Sequence, residues 1–260
     1  MAELWLRRLS TCRPPPTSVL HDGSGGATGA WAGGNLLSIR RRIFAATYDR
    51  QLRRAERAGL AEMRRQLLTG AAGDVLEIGG GTGANLTLYG PAVRSLTVTE
   101  PEAAMLKRLQ ARARSQRPAT TVLRAPAEDL PFEDGSFDTV VSTLVLCGVD
   151  DQPRALHEIR RVLRPTGRLL FLEHVRASDP SLARKQDRLN WFNRAVVCCD
   201  CNRPTLTTVE QQGFRIDSLE HTELPKAPRF VRPTIIGVAS IPAAGSSAHV
   251  APDAASAGPG

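Results

Sequence analysis

The sequence predicts an α/β fold, a parallel sheet with helices on both of its faces. Three observations lead there. After Gly73, short β-rich runs alternate with helical stretches, as in chains where successive strands are joined by crossover helices. The clearest helical stretch, before the fifth run, places Leu156, Ile159, Val162 and Leu163 at helical spacing. The composition, 260 residues with 42% hydrophobic and 23% charged, suits a soluble α/β domain with a real core.

Residues 1–35 combine Pro14-Pro15-Pro16, glycines at 23, 25 and 26 and scattered arginines, too little apolar surface to offset the entropy of ordering. They are expected to be a disordered extension, and Arg7, Arg8 and Arg13 come without the apolar segment of a secretory signal. The domain is expected over residues 36–240, with a second disordered tail at 241–260. Within the domain, Phe44, Tyr48, Leu52, Ala55, Leu60, Met63 and Leu67 mark an amphipathic helix over Phe44–Leu67. Its other face carries Arg50, Arg53, Arg54, Arg57, Arg64 and Arg65, read as solvated or as weakly attracted to an anionic surface or membrane. Strands are then expected at Asp74–Ile78, Leu96–Glu100, Thr121–Arg124, Phe137–Thr143, Arg168–Val175, Phe214–Leu219 and Thr234–Ser240.

The formal charge of +8 suggests an anionic partner until its position is traced. Residues 1–70 hold 12 arginines against five acidic residues, so they carry +7 of it, and the rest of the chain is almost neutral. A groove tracking phosphates is therefore not expected, and no nucleic acid is expected as partner. Five cysteines, an odd number with three bunched at 198, 199 and 201, do not make a disulfide framework, so a reducing, cytoplasmic setting is expected. Cys198-Cys199-Asp200-Cys201 lacks the paired spacing of a zinc site, and no metal is expected. No run of about 18 apolar residues marks a membrane-spanning helix.

The chemistry concentrates where the first strand, Val75 to Ile78, runs into Gly79-Gly80-Gly81-Thr82-Gly83-Ala84-Asn85 and, by expectation, a helix. Glycines at 79, 81 and 83 allow a close approach of backbone to ligand. Glu100 ends the next strand, where a carboxylate can accept from two ribose hydroxyls, so a nucleoside ligand is expected. Gly79, Gly81 and Ala84 also satisfy G-x-G-x-x-A, so the loop alone does not separate a dinucleotide from S-adenosylmethionine.

Further blocks separate them: Ala125-Pro126-Ala127-Glu128-Asp129-Leu130-Pro131-Phe132, Asp134-Gly135-Ser136-Phe137-Asp138 and Leu163-Arg164-Pro165-Thr166-Gly167-Arg168. Over about residues 44–240 the chain resembles the class I S-adenosylmethionine-dependent methyltransferases with a type 11 methyltransferase domain. The resemblance implies a single Rossmann-like domain, seven strands mostly parallel, with the last, Thr234–Ser240, antiparallel. It also implies S-adenosylmethionine as cofactor, with Glu77, Gly79, Gly81 and Gly83 at its methionine part, Glu100 at the ribose, Ala127 and Glu128 flanking the adenine, and Pro101, Thr143 and Leu144 as further cofactor-binding residues. Gly83-Ala84-Asn85 with Tyr89, Thr143 to Cys147, Glu173-His174-Val175, Cys201-Asn202 and Val231 to Gly237 further resemble the animal thiol S-methyltransferases. That family's hydrophobic anchor has no counterpart at the start of this chain, so its microsomal attachment is not carried over.

A methyltransferase of this kind has to align a nucleophile with a sulfonium and exclude water. A thiol, with a pKa near 8.5, is already partly ionised at neutral pH, whereas carbon acids and phenols need a positioned base. A small acceptor, by preference a thiol, is therefore expected, with a quinone or a lipid head group as the alternative and a non-catalytic cofactor-binding regulator as the second. His174 is the candidate base, against the reading that it bonds a backbone carbonyl at the pocket rim. Tyr48, Cys147, Glu173 and Cys201 are candidates for the acceptor pocket.

Overall fold

A computed structural model describes residues 49–50 and 52–242. The expected disordered extension at 1–35, Tyr48, and residues 243–260 of the tail expected at 241–260 lie outside the described residues, while Ile241 at the start of that tail packs against the core. Seven strands form one sheet: β1 Gly73–Ile78, β2 Val93–Thr99, β3 Thr121–Leu123, β4 Phe137–Thr143, β5 Leu163–His174, β6 Arg215–Glu223 and β7 Pro233–Ser240. Their order is β3-β2-β1-β4-β5-β7-β6. β1 to β5 pair in parallel, and β7 runs antiparallel to both β5 and β6. The order reverses between β1 and β4, which puts a crevice beyond the carboxyl ends of those two strands.

Side chains alternate across the sheet, so each strand feeds two cores. Leu76, Ile78, Val140, Leu169 and Phe171 pack on one face with Leu156, Ile159 and Val162 of helix α3, Gln152–Val162, and Val209 of α5, Thr205–Gln211. Val75, Val141, Leu170 and Leu172 pack on the other with Leu67 and Leu68 of α1, Ala61–Leu68, and Leu109 and Ala113 of α2, Ala103–Gln116. The remaining helix, α4, Pro180–Val197, starts where Asp179 accepts from the Leu182 N–H at 2.7 Å and Pro180 occupies the first turn. At the opposite end of the sheet from the crevice, Arg164 bonds Asp138 at 2.6 Å and Asp74 at 3.1 Å, tying the starts of β1 and β4 to the start of β5, where its register with β4 shifts.

Two local expectations need correction. The helix read over Phe44–Leu67 is interrupted: Glu56–Leu60 forms a wide π-type turn with Gly59 at φ 136°, a conformation that no helix accommodates. No regular helix follows the glycine loop either. Residues 81–88 make successive turns, with Gly83 N–H bonding Gly80 O at 2.8 Å and Leu88 N–H bonding Asn85 O at 2.8 Å. Gly81 and Gly83, at φ 56° and 87°, sit in the left-handed region and break the helical path.

Candidate functional site

The crevice is floored by the glycine loop. Gly79 also has φ 56°, and a Cβ there would lie 2.7 Å from Val145, so the loop backbone approaches the segment after β4 as only glycine permits. Gly80, not singled out in the sequence, is packed tighter still: a Cβ would lie 2.3 Å from Val98 in β2. Gly80→Ala is expected to cost about 1–3 kcal/mol, measured by denaturant unfolding, since a β-branched core valine has little room to yield.

Glu100 stands beside this loop, 6% exposed. One of its oxygens accepts the Gly81 N–H at 2.8 Å and the other the Glu102 N–H at 2.9 Å. Each oxygen thus keeps a further lone pair in a water-poor place, and burial pushes the carboxyl up to about 7. The free lone pairs would match the two donors of a vicinal diol. Asp49 reaches over the loop from the other side, accepting from the Thr82 hydroxyl and pairing with Arg112 at 3.2 Å.

Glu77 forms the deepest part. It accepts from Asn85 Nδ2 at 3.0 Å and from the Tyr89 hydroxyl at 2.7 Å. Burial pushes its carboxyl up to about 7 against these bonds and the nearby Arg64 charge. Arg64 is only 3% exposed, which corrects its assignment to the solvated helix face. Its Nη1 donates to Thr143 Oγ1 at 2.8 Å and Asn85 Oδ1 at 3.2 Å, and its Nε to Glu56 at 3.1 Å. The signal was present: Arg64 falls four residues after Leu60 and three before Leu67, on the buried arc rather than opposite it.

Beyond β4, Leu144 takes φ 60°, unusual for a leucine, and its N–H bonds Leu172 O at 2.7 Å. Glu173 holds this bend from β5: it accepts from Ser142 Oγ at 2.7 Å, Val145 N–H at 3.0 Å and Cys147 N–H at 3.3 Å. Its carboxylate is thus committed to the loop, although it was expected at the acceptor pocket. Glu128 is similar. Its carboxylate accepts the Asp150 and Asp151 N–H groups at 2.8 and 3.3 Å, joining the segment after β3 to the start of α3, and Ala127 beside it is buried. Pro101 is exposed, and its carbonyl accepts from Arg124 at 3.0 Å.

His174 ends β5, buried, and its Nδ1 has no hydrogen-bond partner among the described residues. Burial lowers its pKa to about 4, so the ring is neutral at pH 7. Cys147 is buried with its thiol held well above the ordinary range by the neighbouring Cys199 thiol and by burial. Cys201 is buried as well, its thiol pushed up to about 12, here mainly by burial. Neither cysteine is a thiolate near neutrality. The described residues contain no group of three His, Cys, Asp or Glu side chains placed to hold a metal ion.

The methyltransferase domain family matches residues 76–171. Human thiol S-methyltransferase TMT1A is 33% identical over 211 residues, 75% of this chain and 82% of its own length. A phosphatidylethanolamine N-methyltransferase of Cereibacter sphaeroides is 30% identical over 148 residues, 54% of this chain and 72% of its own. Among solved structures, an S-adenosylmethionine-dependent methyltransferase of Thermotoga maritima superposes with a TM-score of 0.58 at 23% identity, over 77% of this chain and 97% of that one.

Proposed function

Because the chain belongs to the class I S-adenosylmethionine-dependent methyltransferases, we propose that its acceptor is a small, largely apolar thiol, methylated at the crevice beyond β1 and β4. The observation that carries this reading is the absence, among the described residues at the carboxyl ends of β4 and β5, of a carboxylate or thiolate free to take a proton. Glu173 is occupied by three donors, and the Cys147 and Cys201 thiols are held protonated. His174, with a pKa near 4, is a weak base. A carbon acid or a phenol would be left unactivated, whereas a thiol with pKa about 8.5 brings its own thiolate fraction.

Bound S-adenosylmethionine supplies an electrophilic methyl group on a positive sulfur. The residues fit it. Glu100 would hold the ribose hydroxyls, Gly79, Gly81 and Gly83 would let the backbone lie against the methionine part, and Glu77 with Arg64 would offer a negative and a positive group toward its charged end. Ala127 and the backbone of Glu128 would border the adenine, with Thr143 and Leu144 completing the wall. Asp49, bridged to Thr82, helps to exclude water. His174, buried at the end of β5, is held there by bonds to backbone groups of Val231 and Pro233 and borders the site as a neutral ring.

Transfer from labelled S-adenosylmethionine to alkyl thiols, quinols and phosphatidylethanolamine tests the acceptor. Thiol methylation is expected. Transfer to phosphatidylethanolamine with the thiols inert would favour the head-group reading, which the Cereibacter sphaeroides relative supports. With a thiol acceptor, turnover should rise with pH toward the acceptor's own pKa of about 8.5, and His174→Gln should leave that profile unchanged. A limb in the parent profile that disappears in His174→Gln would instead make the imidazole the base.

A further inference from the structure

Helix α4 has an outer face that the site does not use. Trp191 is 62% exposed and Phe192 50%, their rings in edge contact at 5.9 Å. Residues 181, 184, 185, 188, 191, 192 and 195 share one arc of this helix: Ser181, Arg184, Lys185, Arg188, Trp191, Phe192 and Ala195. No acidic side chain falls on it. Arg184, Lys185 and Arg188 are exposed and have no ion pair among the described residues, whereas the cations beside the arc are occupied, Arg194 by Asp200 at 2.6 Å and Arg176 by Asp187 at 2.6 Å. The opposite face is fixed to the domain through polar contacts: Gln186 donates to Val175 O at 3.0 Å and Cys201 O at 2.7 Å, and Asn193 to Cys199 O at 2.6 Å.

We propose that this arc of α4 docks the enzyme on an anionic lipid surface, Trp191 and Phe192 entering the head-group boundary and Arg184, Lys185 and Arg188 pairing with lipid phosphates and carboxylates. Two bulky apolar rings in water beside three unpaired cations are the composition of an interfacial helix. Charge selects this occupant over the others. Residues 1–48 carry six arginines against two acidic residues, Glu3 and Asp22, so the chain's own N-terminal segment is repelled by the arc, as is the same arc of a second copy. Single-stranded nucleic acid needs open ring faces in succession, and here the two rings meet edge to face with an interplanar angle of 76°. α4 also follows directly on the His174 end of β5, so docking would bring an acceptor dissolved in the lipid close to the crevice; this last consequence rests on the apolar-acceptor reading, the docking itself does not.

The test is co-sedimentation of the full chain with vesicles of phosphatidylcholine alone and of phosphatidylcholine with phosphatidylserine, read without turnover. Binding to the anionic vesicles that weakens with salt is expected, and Trp191→Ala with Phe192→Ala should reduce it at least about tenfold. Both side chains are exposed, so the melting temperature should not move. With Trp5 and Trp31 replaced by Phe, emission from Trp191 should shift to the blue on vesicle addition and be quenched by brominated lipid. Undiminished binding of the Trp191→Ala, Phe192→Ala variant, unshifted Trp191 emission, or capture by a single-stranded oligonucleotide in preference to vesicles would overturn the proposal.

Discussion

Arg64→Met is expected to cost about 3–5 kcal/mol of folding stability, the typical penalty when one partner of a buried charge cluster is removed. Methionine keeps the length and helix propensity of the side chain, so the loss comes from what the guanidinium does. It ties α1 to Thr143 at the end of β4, to Asn85 in the turns after the glycine loop and to Glu56 in the wide turn, and it offsets the Glu77 carboxylate. Glu77 makes the prediction pH-dependent. Its folded pKa, about 7, lies above the ordinary carboxylate value of 4.5, so between those values the folded state holds more protons than the unfolded and stability falls as pH rises. Removing Arg64 takes away one of the influences lowering that pKa, so the fall should continue to higher pH in the variant than in the parent. Urea unfolding at about pH 5 and about pH 8 reads the difference. Adding Glu77→Gln should restore about 1–3 kcal/mol at the higher pH, because the uncompensated charge is then gone. Simple additivity of the two substitutions would mean that Arg64 does not act through the Glu77 charge.

The parts of this fold that follow local periodicity were legible. Each of the seven expected strands exists, within a few residues of its reading, because buried strands such as Val75–Ile78 and Leu169–Leu172 are apolar on both faces and bounded by turn residues. What periodicity misses is long-range. That Glu173 turns its carboxylate to Ser142 in β4 and to two N–H groups of the loop after it, and Glu128 to the start of α3, depends on where separate strands end in space, 22 to 31 residues away in the chain. The break at Gly59 was hidden because an isolated glycine in a helical pattern is tolerated as often as it is used. Glu100 was readable from spacing and is found against the glycine loop. The pairing of Thr82 with Asp49 was not, since a hydroxyl and a carboxylate 33 residues apart carry no pattern until folded.

The same reading of burial gives a sharper expectation for Glu100. Its carboxyl is raised to about 7 mainly by burial, while the Gly81 and Glu102 N–H groups favour ionisation. Two ribose hydroxyls would add two more donors to the charged form. S-adenosylmethionine affinity of the parent should therefore increase as pH rises through about 7 and level off once Glu100 is ionised. Glu100→Gln should weaken binding about 10- to 100-fold at about pH 8, as expected for loss of charge-assisted bonds worth about 1.5–3 kcal/mol, and should abolish the pH dependence. Folding must change differently. The raised carboxyl makes the parent less stable as pH rises from 4.5 to about 7, so relative to the parent the variant should gain stability over that interval. Calorimetric binding and urea unfolding of the same two proteins thus move in opposite directions with pH. A variant that binds S-adenosylmethionine as tightly as the parent at about pH 8, while showing the gain in relative stability, would leave Glu100 buried beside the loop but take the ribose away from it.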